Sequence, residues 1–141
     1  MTRLFLVAPV ALALVSCSRS ISAEQSGLVG KWQKSKGDYT VVFTDRNEFK
    51  YEGTLSEPPL SYQFALSGTF STDGGSITYM MTDYKIDESR LSGFAKDNYA
   101  QIQQGFEELM SEPQGASIFR NGDKMTLTGT GITGDYVRVT N

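Results

Sequence analysis

The stretch SYQFALSGTFSTDGGSITYMMTDY, residues 61–84, carries the reading on which the fold rests. Tyr62, Phe64, Leu66 and Phe70 fall on one side of a chain with two-residue periodicity, and Ile77, Tyr79 and Met81 on one side of the next run. Between them, TDGG supplies the Asp and Gly residues that tolerate left-handed backbone, so the two runs read as neighbouring strands of an antiparallel hairpin.

The same pattern extends in both directions. Upstream, YTVVFTD sets Tyr39, Val41 and Phe43 on one face, and EFKYEGT alternates Phe49 and Tyr51 with Lys50 and Glu52. Downstream, KMTLT and YVRVT repeat it through Met125, Leu127, Val137 and Val139, with turn chemistry in TDRNE and RNGD. Strands are expected near residues 29–35, 38–45, 48–55, 61–71, 76–84, 115–120, 123–130 and 133–140. The fold class is therefore mainly β. About eight strands joined by hairpins predict an antiparallel up-and-down barrel, whose interior at this strand number is filled by side chains or holds one small ligand.

One segment breaks the alternation. Between Asp87 and Pro113, the residues Leu91, Ala95, Tyr99, Ile102, Phe106 and Leu109 recur at helical spacing, with Lys96, Gln103, Gln104, Glu107 and Glu108 on the opposite side. This predicts an amphipathic helix inserted between strands five and six, stopped by Pro113. Its polar face lacks the Lys and Arg enrichment of a membrane-surface helix, so it reads as a lid on the barrel, with a partner-binding face as the alternative.

The amino terminus concerns address rather than fold. Leu4 to Val15 is an apolar run after Arg3, the length of a secretory signal core and shorter than a membrane-spanning helix. Leu14-Val15-Ser16-Cys17 resembles the bacterial lipobox, and Cys17 is the single cysteine. That resemblance implies lipidation of the Cys17 thiol, removal of residues 1–16, and a membrane held by several acyl chains, each buried methylene contributing about 0.8 kcal/mol. Residues 17–27 are then the lipidated cysteine and a small, polar, flexible tether, and 28–141 a single domain. Without Arg3 the chain has 12 basic against 16 acidic residues, a net charge of −4, which disfavours nucleic acid and a polybasic membrane patch. With its cysteine acylated the domain forms no disulfide and depends on packing. The expected location is the cell envelope. In a Gram-negative host this is the periplasmic face of the outer membrane or the cell surface, and Ser18 after the cysteine is compatible with outer-membrane sorting.

LVGKWQ at 28–33, with Gly30-Lys31-Trp32 as a Gly-x-Trp start, followed by VVFTDRNEFKYEG, GTFSTDGGSITY, NGDKMTLTG and DYVRV, is similar to the small lipocalin-like domains of bacterial lipoproteins. The resemblance implies a calycin-style barrel whose interior, in some members, receives a small apolar molecule. An inserted helix is also similar to META-like secreted domains, whose usual cysteine motifs this chain lacks.

Catalysis has little to work with. The chain has no histidine, so Ser-His-Asp and Cys-His arrangements and histidine-based metal sites are excluded. GTGITG at 129–134 satisfies Gly-x-Gly-x-x-Gly, but no βαβ unit follows, so it reads as a hairpin turn. Asp83, Asp87 and Glu88 cluster after a strand, and paired acids are all a glycosidase requires, but they read as a solvated turn that supplies negative charge to the helix start. No catalytic residue, metal or cofactor is expected, and the protein reads as a non-enzyme. The aromatic residues Trp32, Phe43, Phe49, Phe64 and Tyr79 are the candidate ligand contacts, although a filled core uses the same residue types, and Trp32 also suits a plug at one end. The expected function is a lipid-anchored envelope protein binding a small hydrophobic ligand in its barrel. The alternative is an interaction or inhibitor module that engages an envelope protein partner through the helix or loops.

Overall fold

The computed structural model describes residues 23–129 and 131–140. Eight antiparallel strands close into a barrel in chain order: β1 (Gly30–Lys34), β2 (Asp38–Phe43), β3 (Glu48–Glu57), β4 (Leu60–Asp73), β5 (Ser76–Ile86), β6 (Gln114–Asn121), β7 (Lys124–Gly129) and β8 (Gly134–Arg138). Three helices accompany them among the described residues: α1 (Ala23–Leu28) before β1, and α2 (Gly93–Asp97) and α3 (Tyr99–Ser111) between β5 and β6. The expected eight-stranded barrel and the place of its helical insertion are both observed. No helix among the described residues is long and apolar enough to cross a membrane.

Up-and-down connectivity gives the barrel two distinct poles. The turns 44–47, 74–75 and 122–123 gather at one, together with α1; the turns 35–37 and 58–59, the helical insertion and the β7–β8 connection gather at the other. Gly74 and Gly75, at φ 56° and 84°, form the two-residue turn between β4 and β5, which positive-φ backbone requires and which glycine supplies without steric cost.

The α1 pole is solid. Trp32, Phe43, Phe49, Phe70, Ile77, Tyr79, Met125, Leu127 and Tyr136 are buried there and toward the middle, with Phe43 and Phe70 rings 4.8 Å apart edge to face and Phe49 and Tyr79 5.7 Å apart. β1 and β8 share only three paired positions, Trp32–Arg138, Gln33–Val137 and Lys34–Tyr136. A polar clip reinforces this short seam. The Arg138 guanidinium lies 4.2 Å from the Trp32 ring centre, donates to the carbonyls of Val29 and Gly27 at 2.7 Å each, and pairs with Asp123 at 3.2 Å. Trp32 Nε1 donates to the Leu28 carbonyl at 2.8 Å, so α1 is tied to the barrel from both partners.

The other pole is built differently because β6 starts late. Gln114, its first residue, pairs with Tyr79 in the middle of β5, so the half of β5 beyond Tyr79 has β4 on one side and no β6 partner on the other. α3 packs along that half instead, with the Phe106 ring stacked on Tyr84 at 5.2 Å. A β-bulge makes Tyr84 available: the register shifts between Ser67 and Gly68, leaving Thr82 as an extra residue. The inward set Ile77, Tyr79, Met81 continues as Tyr84 and Ile86, a change of parity that alternation alone does not supply. Gly68 permits the bulge, since a Cβ there would collide with the Met80 backbone.

Two expectations need correction. The segment expected to be a flexible tether through Gly27 is helical from Ala23: Gln25 donates to Asn47 at 3.1 Å, Glu24 accepts from the Gly75 amide at 3.1 Å, and Leu28 is buried. A short polar segment gains order here because the barrel end offers partners that composition does not reveal. The signal segment, Cys17 and the tether up to residue 22 lie outside the described residues. The single expected helix is two. Ser92, accepting from Ala95 N, caps α2, and Asn98, at φ −108° and ψ 18°, departs from helical backbone between α2 and α3 while its backbone N–H and its Nδ2 both donate to the Phe94 carbonyl. Glu112 is extended ahead of Pro113, which ends α3 as expected.

Arg138→Ala should lower unfolding free energy by roughly 2–4 kcal/mol in urea titration, because it orphans two carbonyls and uncovers Trp32. Arg138→Lys should recover only part of this, since an ammonium cannot reproduce the forked geometry. A loss below about 0.5 kcal/mol for the Ala variant would contradict the role given to the clip.

Candidate functional site

The half-open construction of the second pole leaves a cavity of about 360 Å³ between the inner faces of β2–β5, α3 and the 131–132 segment. Tyr39, Tyr51, Tyr62, Phe64 and Phe106 supply rings; Leu55, Leu66, Met81, Leu109 and Ile132 supply aliphatic and thioether surface; Lys34 stands at the rim. A cleft of about 520 Å³ lined by Gln63, Phe64, Ala65 and residues 85–89, at the ends of β4 and β5, is larger but more open. The smaller cavity is the better candidate because it is less open and five aromatic rings converge on it.

Local sequence explains the arrangement of the rings. Tyr39, Gly53 and Phe64 form one row across β2, β3 and β4. Because Gly53 has no side chain, Tyr39 and Phe64 approach across it to 6.2 Å, while Tyr51 stacks on Tyr39 at 5.8 Å with planes 10° apart. Phe106 reaches in from α3 and meets Phe64 at 5.7 Å and Tyr62 at 6.3 Å. The insertion is therefore a wall of the cavity as well as its cover.

In the core behind Ile132, polar groups satisfy one another. The Tyr136 hydroxyl donates to the Ile132 carbonyl at 2.7 Å, and the Tyr79 hydroxyl accepts from the Ile132 amide at 3.4 Å. Burial pushes the Tyr51 hydroxyl up to about 12, with the neighbouring Tyr136 hydroxyl pulling partly the other way. Burial raises Tyr136 further, reinforced by Tyr51 and Tyr79. Tyr39 and Tyr62 are also raised by burial, then by the negative charge of Glu57 and Asp38 for Tyr39 and by Tyr39 and Glu57 for Tyr62. All four therefore stay neutral hydrogen-bonding groups at physiological pH.

Of the five aromatic residues expected to contact a ligand, the structure brings only Phe64 to the cavity. Trp32, Phe43, Phe49 and Tyr79 are 0–2 % exposed and packed into the core. Tyr39, Tyr51, Tyr62 and Phe106 line the cavity and were not among those candidates. A signal for two of them, Tyr39 and Tyr62, was present in the order of the turns. Tyr39 follows the 35–37 turn, and Leu55 and Tyr62 flank Pro58-Pro59, so up-and-down topology places them at the same pole as the insertion. Cys17 lies outside the described residues.

Two of the three clustered acids, Asp87 and Glu88, are occupied locally. Asp87 accepts from the Ser89 amide at 3.0 Å and hydroxyl at 2.6 Å, which lowers its pKa, and Glu88 accepts from the Tyr99 hydroxyl at 2.7 Å. These bonds cap the short 3₁₀ turn Glu88–Arg90 and fasten α3 to it. Among the described residues no group of three or more Cys, Asp or Glu is placed to hold a metal ion. GTGITG forms the connection between β7 and β8, with Ile132 buried into the barrel.

The raised tyrosines couple stability to alkaline pH. A phenol whose folded pKa lies above its unfolded value of 10.0 keeps its proton longer in the folded state, so its stabilisation is complete below pH 10 and is lost as pH rises through the folded value of about 12. Unfolding free energy should fall between pH 10 and 12, and Tyr51→Phe should make that decline shallower by up to about 1.4 kcal/mol per pH unit. Denaturant titrations across this range, with ultraviolet titration of the phenolates, measure it; equal slopes would contradict the burial assigned to Tyr51.

No protein-family model matches the chain, and no curated protein matches it in sequence at a significant level.

Proposed function

We propose that this protein is a lipid-anchored, non-enzymatic binding protein of the cell envelope that holds a small apolar molecule in the mouth of its barrel. The observation that carries the reading is the cavity of about 360 Å³ under α3, lined mainly by aromatic and aliphatic side chains with the tyrosines Tyr39, Tyr51 and Tyr62 among them. Evolution of a stable core alone favours filling such space, because protein interiors pack to crystalline density and voids cost stability. The sequence supports a non-enzyme through its lack of histidine, and a membrane anchor through the lipobox-like Leu14-Val15-Ser16-Cys17.

A second reading, an interaction module, is favoured by Phe94, which is 49 % exposed on α2 beside the cavity end. A partner that docks on α2 would then act on the same insertion that covers the cavity.

Native mass spectrometry of the protein purified from its host should show a co-purifying small molecule. Leu66→Trp, which fills the cavity from β4, should remove that adduct while circular dichroism stays unchanged. A wild-type protein free of any adduct and unable to take up apolar probes would end the cavity reading. Cys17→Ala should block processing and release the protein from the membrane fraction; normal processing with full membrane retention would exclude the anchor.

A further inference from the structure

The cavity lining is rich in rings and carries charge at one point, which narrows the ligand beyond an apolar molecule. Building on the cavity reading above, we infer that the ligand is a flat-ringed organic anion, its ring among Tyr39, Tyr51, Phe64 and Phe106 and its anionic group against Lys34.

Lys34 is the only charged residue lining the cavity. It ends β1, pairs with Tyr136 across the barrel seam, and holds its ammonium 4.9 Å from the centre of the Tyr39 ring. No carboxylate among the described residues lies within ion-pair distance of it. Two carboxylates act on the tyrosines of this pole, Glu57 on Tyr39 and Tyr62 and Asp38 on Tyr39, but neither pairs with Lys34, and Asp38 accepts from the Thr54 hydroxyl at 3.1 Å on the outer surface. Contact with the Tyr39 face supplies no counter-charge, so the ammonium keeps its donors for an incoming anion. An anion arriving there forms a charge-assisted hydrogen bond, screened less than one in bulk water. A cationic ligand meets repulsion, and a neutral one leaves the ammonium without a counter-charge.

The preference for a ring comes from the walls. Five of the twelve lining residues are aromatic. Tyr39 and Tyr51 present a stacked pair, whereas Tyr62, Phe64 and Phe106 stand at 44° to 81° to one another. Such a set offers both faces and edges to a further ring, the arrangement that the aromatic quadrupole favours. A volume of about 360 Å³ is near the lower bound for small-molecule sites, which suits a bicyclic acid and is too small for a lipid with several chains.

The test is calorimetric titration of the full-length protein with 2-naphthoate, methyl 2-naphthoate and decanoate. The acid should bind about tenfold or more tightly than its neutral ester and than the unringed decanoate. Lys34→Gln should abolish the difference between acid and ester, and Lys34→Arg should keep it. Leu66→Trp, and independently Leu109→Trp from α3, should abolish binding of all three, with circular dichroism confirming the fold. An ester that binds as well as the acid, or decanoate that binds more tightly, overturns the ligand class while leaving the cavity reading intact. Failure of all three probes to bind the wild type overturns both.

Discussion

The packing of Arg138 over Trp32 is the constraint on which the rest of the barrel depends. A barrel exists only if its first and last strands meet, and here they are five residues each and share three paired positions. Closure removes exposed strand edges, so failure of this seam would open two of them at once. The Arg138 fork satisfies carbonyls in the segment that enters β1, its charge is matched by Asp123 in the β6–β7 turn, and its plane covers the indole. One side chain therefore joins the segment leading into β1, the last strand and the β6–β7 turn. The arrangement also explains why α1 is ordered: its last carbonyls are the acceptors that Arg138 and Trp32 need.

A securely closed pole allows the opposite pole to be loosely built. The division of labour follows from one topological fact, that β6 pairs with the lower half of β5 only. Where β6 is absent, α3 takes over the work of a strand, covering apolar side chains with Phe106, Ile102, Leu109 and Met110. A helix is wider than a strand and fits the barrel wall less closely, and the space left over is the cavity. The bulge at Ser67–Gly68 serves the same construction, since it turns Tyr84 to the side where Phe106 can stack on it. In the anchored form proposed here, the chain reaches the barrel at the closed pole, so the cavity opens at the pole remote from the tether.

Much of this was legible beforehand, for reasons that differ by residue. The strands were readable because period-two alternation and Asp, Asn and Gly turns are local properties, and closure in chain order follows from hairpins. The helix was readable from its apolar spacing, whereas its break at Asn98, a backbone departure at a single residue, leaves no mark in that spacing. Ring-bearing residues in strands were equally visible throughout, yet nothing local separates Phe49, sealed in the core, from Tyr51, two residues along the same strand and on the same face. Their difference is height along the barrel axis. Phe49 lies level with the solid pole and Tyr51 at the floor of the cavity.

By itself, then, the sequence determined the class of fold, the number and order of strands, the position of the insertion and the lack of histidine chemistry, because each is written in neighbouring residues. Only the tertiary structure decided which aromatics pack and which line a space, that residues 23–28 form a helix, and that one lysine faces an apolar cavity. Those outcomes depend on where a late-starting β6 leaves β5 unpaired, and on which side chains a bulge and a glycine allow to meet across the sheet. They are relations between distant segments, and no local pattern encodes them.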